Sequence, residues 1–190
     1  MTNSDKIRLM QHASDLVNYN PDTGVMTWRP KDVDANGWNE KFVGRECGII
    51  ASHGYRVLHV HFEHGRGSKI LAHRLAWFIC FGELPAGDID HINQNRSDNR
   101  IQNLRDVTRS INCRNSLRST RNTSGVTGVT WHKLRSKWRA RAGIYGRRYS
   151  LGLFSELADA EAAVKKFRAE NDFTENHGRL PSATARTRST

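Results

Sequence analysis

The hydrophobic positions near the start of the chain follow a helical spacing. Between residues 5 and 18, apolar side chains recur every three or four positions, which predicts a short amphipathic helix that begins after Ser4. These positions are Ile7, Leu9, Met10, Ala13, Leu16 and Val17. The following YNPDTGVMTWRP, residues 19–30, combines turn-forming residues with a short apolar run, so it predicts a turn and then a strand.

Two more apolar segments lie between residues 54 and 82. The order GYRVLHVHF, residues 54–62, alternates as in a strand and places Val57, His59 and His61 on one face. The run LAHRLAWFICFG, residues 71–82, is apolar on most sides and ends in glycine, as a buried helix with a glycine stop does. Its aromatic residues, Trp77, Phe78 and Phe81, are expected in the core.

The pattern changes after residue 112. NCRNSLRSTRNTSG, residues 112–125, is poor in large apolar residues and has the composition of a linker. The runs VTGVTWHK, SKWRARAG and RRYSLGLF then alternate as strands, and a helical pattern extends from Glu156 to about Asn171. We therefore expect an α+β fold in which a three-stranded antiparallel sheet packs on one helix behind a first, mixed domain.

These boundaries divide the chain into four parts. Residues 1–115 form the first domain with a β-rich N-terminal extension, 116–124 a basic linker, 125–175 the sheet-and-helix domain, and 176–190 a basic tail expected to be disordered. A length of 190 residues suits two small domains as well as one of ordinary size.

Charge separates the two halves further. The net charge is +11, and residues 1–115 hold fifteen basic against thirteen acidic residues, whereas residues 116–190 hold fifteen against six. Between Val107 and Ser155, eleven Lys or Arg residues occur without one Asp or Glu. Such a field favours a polyanionic partner, although charge alone would also fit a merely soluble basic face.

Targeting signals and cysteine chemistry add little. No apolar run approaches the roughly 20 residues of a membrane span, and the N-terminus lacks a secretory signal, so we expect a cytoplasmic protein without a membrane partner. The three cysteines, Cys47, Cys80 and Cys113, are widely spaced and are expected to be reduced thiols with packing roles. A zinc set of Cys47 with His59, His61 and His64 is disfavoured, because no pair has a recognisable zinc spacing.

The most informative segment is DIDHINQNRSDNRIQNLRDVTRSINCRN, residues 88–115. An Asp-His pair is followed by Asn103 twelve residues after His91 and by Asn112 nine residues later. LRDV, residues 104–107, reads as a short strand, and Thr108 could cap a helix that carries Asn112 in its first turn. Taken singly these residues could be ordinary turn residues; the pattern HRLAW…IDHIN…DNRIQNLR…N is specific.

This pattern, over roughly residues 19–115, resembles the phage-type HNH endonucleases. The resemblance implies a ββα-metal fold in which His91 is the general base, Asn103 holds its ring by a hydrogen bond, and Asp90 and Asn112 bind one cation that stabilises the leaving 3′ oxygen. Oxygen ligands suit Mg²⁺, with Mn²⁺ able to substitute. Neutral imidazole can accept a proton from water near pH 7. Arg74 on the preceding helix is left outside the catalytic set.

Residues 124–171 resemble the AP2 domain, whose sheet docks into a groove of DNA. Period-two alternation places Arg139 and Arg141 on one face of the middle strand and Trp138 with two alanines on the helix side. The resemblance assigns the DNA face to Thr130, His132, Arg139, Arg141, Arg148 and Ser150. Arg114, Arg118 and Arg121 in the linker are expected to follow phosphates.

The leading hypothesis is therefore a metal-dependent endonuclease acting on double-stranded DNA, of the homing or mobile-element kind, as a monomer or weak dimer. The alternative is a DNA-binding regulator without catalysis. That reading requires a decayed metal site, whereas Asp90, His91, Asn103 and Asn112 are all present. A zinc-stabilised interaction protein, the third reading, lacks ligands.

Overall fold

The computed structural model describes residues 2–62, 66–119 and 121–179. The chain divides into two compact units, Met1–Asp106 and Val107–Thr190, each with its own core. This division lies nine residues before the expected boundary at 115. The first residues of the expected tail, 176–190, are structured. Gly178 and Arg179 form backbone hydrogen bonds with Ser116 and Arg118. The rest of the tail, residues 180–190, lies outside the described residues.

The first unit opens with helix α1, Asn3–Asp15, followed by a hairpin of β1, Val17–Tyr19, and β2, Met26–Trp28. Thr2, rather than Ser4, caps α1, and its side chain and that of Asp5 form a reciprocal capping box. Leu9, Met10 and Ala13 of α1 enter the core at the spacing that the sequence predicts.

A second sheet and a buried helix complete this core. Short helix α2, Trp38–Phe42, precedes the antiparallel strands β3, Ile49–Ile50, β4, Arg56–Phe62, and β5, Arg66–Leu71. Leu58 and Val60 of β4 face the core, whereas His59 and His61 are exposed. Helix α3, Ala72–Phe81, ends at Gly82 with φ +74°, as predicted. Phe78 is buried, but Phe81 is exposed, so the expectation of a core position is wrong for Phe81.

A strand, strand, helix sequence follows. Strand β6, Asp88–His91, pairs with β7, Leu104–Val107, and helix α4, Arg109–Arg114, begins at Thr108, whose side chain accepts a hydrogen bond from the Ile111 N–H. The loop between the strands is tightened at both ends: Ile92 N–H donates to the Asn103 carbonyl, and Asn103 N–H donates to that of Arg100.

The second unit holds an antiparallel sheet in the order β10-β9-β8 with one helix. Its elements are β8, Val129–His132, β9, Lys137–Ile144, β10, Arg147–Phe154, and α5, Leu157–Ala169. Val129, Ala140, Ala160 and Val164 form the core, and Trp138 packs against it as predicted. Tyr145 and Gly146, both with positive φ, form the tight turn between β9 and β10.

Arg114 explains why α4 belongs to the second unit. Its side chain is only 7% exposed and donates to the Tyr145 hydroxyl at 2.8 Å and to the Asn171 carbonyl at 3.2 Å. Thr174 donates to the Arg114 carbonyl at 3.2 Å. These bonds attach the end of α4 to the β9–β10 turn and to the segment after α5.

Among the described residues, no helix has the length and apolar character needed to cross a membrane.

Candidate functional site

Strand β6 places an acid and an imidazole side by side inside the first unit. Asp90 is 6% exposed and His91 is 3% exposed. Ile89, which precedes them in the same strand, belongs to the hydrophobic core. The start of the strand is fixed because the Asp106 carboxylate accepts hydrogen bonds from the Ala86 and Gly87 N–H groups at 2.6 and 2.8 Å. The Asp-His pair is therefore rigidly held rather than displayed on a free loop.

The His91 ring lies in an aromatic pocket. The His73 ring of α3 meets it edge-on, with centroids 5.1 Å apart, and the Tyr55 ring lies 5.7 Å away. Tyr55 and His73 also contact each other, with centroids at 5.0 Å. On another side, His91 Nε2 lies 3.4 Å from Asn99 Oδ1. When Nε2 carries the proton and donates to Asn99, the basic lone pair is on Nδ1.

Burial keeps both imidazoles neutral. It lowers the pKa of His91, against the opposing effects of the Asn99 hydrogen bond and the nearby Asp90 and Asp98 charges. Burial also lowers the pKa of His73, to about 3, helped by the neighbouring His91. A neutral His91 is the form that can accept a proton from water.

Asn103 has a different contact from the one expected. Its Oδ1 accepts from the Asn93 N–H at 3.0 Å, and its Nδ2 donates to the Asp98 carbonyl at 2.8 Å. The amide thus holds the two ends of the loop that joins β6 to β7. Asn99, which the sequence did not single out, places its Oδ1 3.4 Å from the Nε2 of the His91 ring.

The N-terminal hairpin turn supports Asn99. The Tyr19 hydroxyl donates to the Asn99 carbonyl at 2.7 Å, and Ile101 N–H donates to the Pro21 carbonyl. Gly24 has φ +74°, and a Cβ there would lie 2.5 Å from the Arg100 nitrogen and 2.6 Å from the Asn99 carbonyl carbon. The YNPDTG segment therefore requires glycine where it packs against the loop that carries Asn99.

The expected metal ligands offer oxygen atoms. Asp90 Oδ2 accepts hydrogen bonds from Arg105 Nε and Nη2 at 2.9 and 2.7 Å, which fix the orientation of the carboxylate. Asn112 is half-buried in the first turn of α4, within the second unit. A carboxylate and an amide oxygen are ligands that a hard divalent cation accepts, with waters completing the shell. Within the described ranges, no cluster of three or more His, Cys, Asp or Glu side chains could hold a metal.

The second unit presents Arg139, Arg141 and Arg148 on one face of its sheet. Strand pairing sets Thr130 opposite Arg139, and Ser150 opposite Arg141, so each pair points to the same side of the sheet. Trp138, Ala140 and Val129 point to the opposite side, where α5 packs. Of the six residues expected on the DNA face, His132 and Arg139 are half-buried and the others, Thr130, Arg141, Arg148 and Ser150, are exposed.

The three linker arginines differ in exposure. Arg114 is buried, so the expectation that it follows phosphates is wrong, because its guanidinium is taken by Tyr145 and Asn171. Arg118 is half-buried and donates to the Gly125 carbonyl. Arg121 is exposed.

Comparisons with known proteins bear on the segment that contains the Asp90-His91 pair. Residues 71–114 match the family described as HNH endonuclease, which is less than a quarter of the chain. The chain is also 33% identical over 79 residues to Protein 3.8 of Escherichia phage T7. That alignment covers 41% of this chain and 65% of the phage protein, so the chain spans just under two thirds of this relative's length. No solved structure matches the chain.

Sequence reasoning missed three residues around His91. Asn99 reads as a turn residue in a polar loop, and Tyr55 and His73 are distant along the chain from the Asp-His pair. The one available signal for His73 is its place in the HRLAW segment, which belongs to the same motif. Nothing in the local pattern distinguishes Asn99 from Asn103, because both are asparagines in the same polar segment of the sequence.

Proposed function

We propose that the chain is a metal-dependent endonuclease that hydrolyses phosphodiester bonds of double-stranded DNA. The observation that carries this proposal is the match of residues 71–114 to the HNH endonuclease family, together with the buried Asp90-His91 pair within that segment. The basic sheet of the second unit supports DNA as the substrate. No Asp or Glu lies between Val107 and Ser155 to offset its positive charge, and the DNA backbone is negatively charged.

His91 is the proposed general base. Burial keeps its imidazole neutral, and the Asn99, His73 and Tyr55 side chains fix its orientation. The ring takes a proton from a water molecule that attacks the phosphorus, which makes the attacking oxygen hydroxide-like as the bond forms. Asn103 acts indirectly, because it holds the loop on which Asn99 is carried.

Asp90 and Asn112 are the proposed ligands of one divalent cation, with Mg²⁺ as the first choice and Mn²⁺ able to substitute. The bound cation supplies charge neutralisation at the phosphate and at the leaving 3′ oxygen. Arg105 holds the Asp90 carboxylate in one orientation through two hydrogen bonds to the same oxygen. Loss of Arg105 should therefore weaken metal binding without removing a ligand.

The second unit is proposed to hold DNA through an AP2-like sheet face. Arg139, Arg141 and Arg148 can bind phosphates or the edges of guanine bases. We also propose that the protein acts in a bacterial host's cytoplasm as a homing or mobile-element enzyme, because the similar protein comes from a phage. A single centre cuts one strand per engagement, so a monomer would nick and a weak dimer could cut both strands.

A plasmid assay tests the proposal. Wild-type protein should convert supercoiled plasmid to nicked or linear DNA with Mg²⁺ or Mn²⁺ and should be inactive in EDTA. His91→Ala should cut at least about 100-fold more slowly, since a positioned base contributes about 10²–10⁴-fold. His59→Ala, which changes an exposed histidine of β4, is the matched control and should be as active as wild type.

The same assay separates the alternative. A wild-type protein that binds duplex DNA but leaves the plasmid intact with every metal would be a DNA-binding regulator, and the nuclease proposal would be abandoned. Full cleavage by His91→Ala would refute the assignment of the base while leaving nuclease activity in place.

A further inference from the structure

The hairpin between β8 and β9 exposes a leucine at its tip. His132 pairs with Lys137, so residues 133–136 form the turn, which we call the hairpin tip. Leu134 is 95% exposed, more than any other large hydrophobic side chain in the described part of the chain. It belongs to neither hydrophobic core. The fold therefore gains no buried apolar surface from this side chain.

The turn itself does not require leucine. The left-handed backbone position is taken by Ser136, with φ +47°, and the Ser136 N–H closes the turn on the Lys133 carbonyl at 3.3 Å. A polar residue at position 134 would serve a tight turn equally well, because turns favour Ser, Asn, Asp and Gly. An isolated exposed leucine is ordinary on a protein surface, so its neighbours decide whether it has a role.

Those neighbours are cations. Lys133, Arg135 and Lys137 are exposed on both sides of Leu134, and the same two strands carry Arg139 and Thr130 on the basic face of the sheet. No acidic residue lies within this part of the sequence. An apolar side chain set among cations at a protruding tip matches the device of proteins that bend DNA, which insert one apolar residue between base pairs while cations neutralise the adjacent phosphates.

A protein partner fits these features less well. Protein interfaces bury a well-packed apolar centre within roughly 800 Å² on each partner, and such centres are depleted of lysine. One leucine between two lysines and an arginine supplies too little apolar area for that. The gap between two base pairs, by contrast, accepts a single side chain.

We propose that the hairpin tip is a DNA wedge: Leu134 inserts between stacked base pairs and kinks the duplex, while Lys133, Arg135 and Lys137 hold the flanking phosphates. This inference rests on the proposed binding of duplex DNA by the second unit. It adds a way for the chain to distort its target, so that easily unstacked pyrimidine–purine steps are preferred without any hydrogen bond to a base edge.

The test compares two kinds of variant by their response to salt. The full chain is titrated in EDTA, where no cleavage occurs, against a mixed-sequence duplex of about 18 base pairs, roughly 60 Å long, that carries a donor and an acceptor dye at its ends. Leu134→Ala should bind about 10- to 30-fold more weakly at every salt concentration, because it loses apolar contact and no charge. Lys133→Ala should instead reduce the slope of log affinity against log salt by about one.

Bending gives a second readout. Wild-type protein should raise energy transfer between the duplex ends, and Leu134→Ala should lose most of that increase even at protein concentrations that saturate the DNA. Val33→Ala is the matched control, because Val33 is also highly exposed, at 79%, and lies in the first unit. Neither position is buried, so both variants should keep the wild-type circular dichroism spectrum and melting temperature.

The outcomes are distinct. Wild-type affinity and wild-type energy transfer in Leu134→Ala would overturn the wedge while leaving DNA binding intact. A change of salt slope in Leu134→Ala equal to that of Lys133→Ala would also overturn it, because the leucine would then matter only through its neighbours' charges. Failure of the wild-type protein to bind the duplex at low salt would overturn both the wedge and the proposed DNA-binding role of the second unit.

Discussion

Replacing Asn103 with alanine should destabilise the first unit, because this side chain holds the loop between β6 and β7. The change removes two hydrogen bonds, at 3.0 Å from the Asn93 N–H and at 2.8 Å to the Asp98 carbonyl. Asn103 is 6% exposed, so the backbone groups left behind have limited access to water. Each net bond is worth about 1 kcal/mol and each stranded group adds to the loss, which gives about 2–4 kcal/mol.

Thermal unfolding measures this loss directly. For a unit of about 100 residues, 1 kcal/mol lowers Tm by about 4–8 °C, so a loss of about 2–4 kcal/mol should lower the first unit's transition by roughly 8–30 °C. Asn3→Ala is the control, since it makes the same substitution at an exposed position of α1. Asn103→Asp keeps the acceptor for Asn93 but loses the donor to Asp98, so its transition should lie between those of wild type and Asn103→Ala.

Asn99→Ala separates loop stability from chemistry. Its Nδ2 is buried and has no hydrogen-bond partner in the described part of the protein, so alanine removes a group that is already unsatisfied. The expected change in unfolding free energy is therefore small, about 1 kcal/mol or less, while the loss of the contact with His91 slows cleavage about 3- to 10-fold. An Asn103→Ala protein with wild-type Tm and no cleavage would refute this division, because Asn103 would then act at the reacting atoms.

Three further predictions concern other parts of the fold. Gly24→Ala should lower the first unit's Tm and slow cleavage, because its Cβ would overlap the Asn99–Arg100 backbone; wild-type values would contradict that close approach. His73→Ala should reduce kcat about 10-fold with little change in KM, and His73→Phe should restore most of the rate, because the ring contact with His91 is what matters. Burial lowers the pKa of His177 to about 4, so the second unit should have its full stability above pH 6.5 and lose up to about 2–3 kcal/mol between pH 6.5 and 4; His177→Gln should flatten that loss in urea titrations.

The elements of the second unit could be predicted from sequence because their signals are local. The three alternating runs and the helical spacing after Glu156 correspond to β8, β9, β10 and α5 within a few residues. The same holds for α3, whose glycine stop is a local signal. The error at Phe81 arises because a helix near its end can expose one side even when its composition is apolar throughout.

The contacts of the candidate site could be predicted only in part. The spacing of Asp90, His91, Asn103 and Asn112 identifies the motif, but it does not say which amide meets the imidazole. That outcome depends on how the loop of residues 92–103 folds back, and this in turn depends on Tyr19, Pro21 and Gly24, more than 70 residues earlier. A short-range pattern contains no information about such a long-range contact.

For the arginines, amino-acid composition does not predict which side chains are exposed, whereas strand periodicity predicts which face of the sheet they occupy. A guanidinium carries five donors that carbonyl and hydroxyl oxygens satisfy as well as phosphates do, so the basic count alone cannot separate Arg114, which is buried against Tyr145 and Asn171, from Arg121, which is exposed. In the sheet, the same residue type is sorted by the pleat. Trp138 and Ala140 pack on the helix side of β9. Because successive side chains of a strand point to opposite faces, Arg139 and Arg141 lie on the other face. The charge available to DNA is therefore better derived from strand alternation than from net charge.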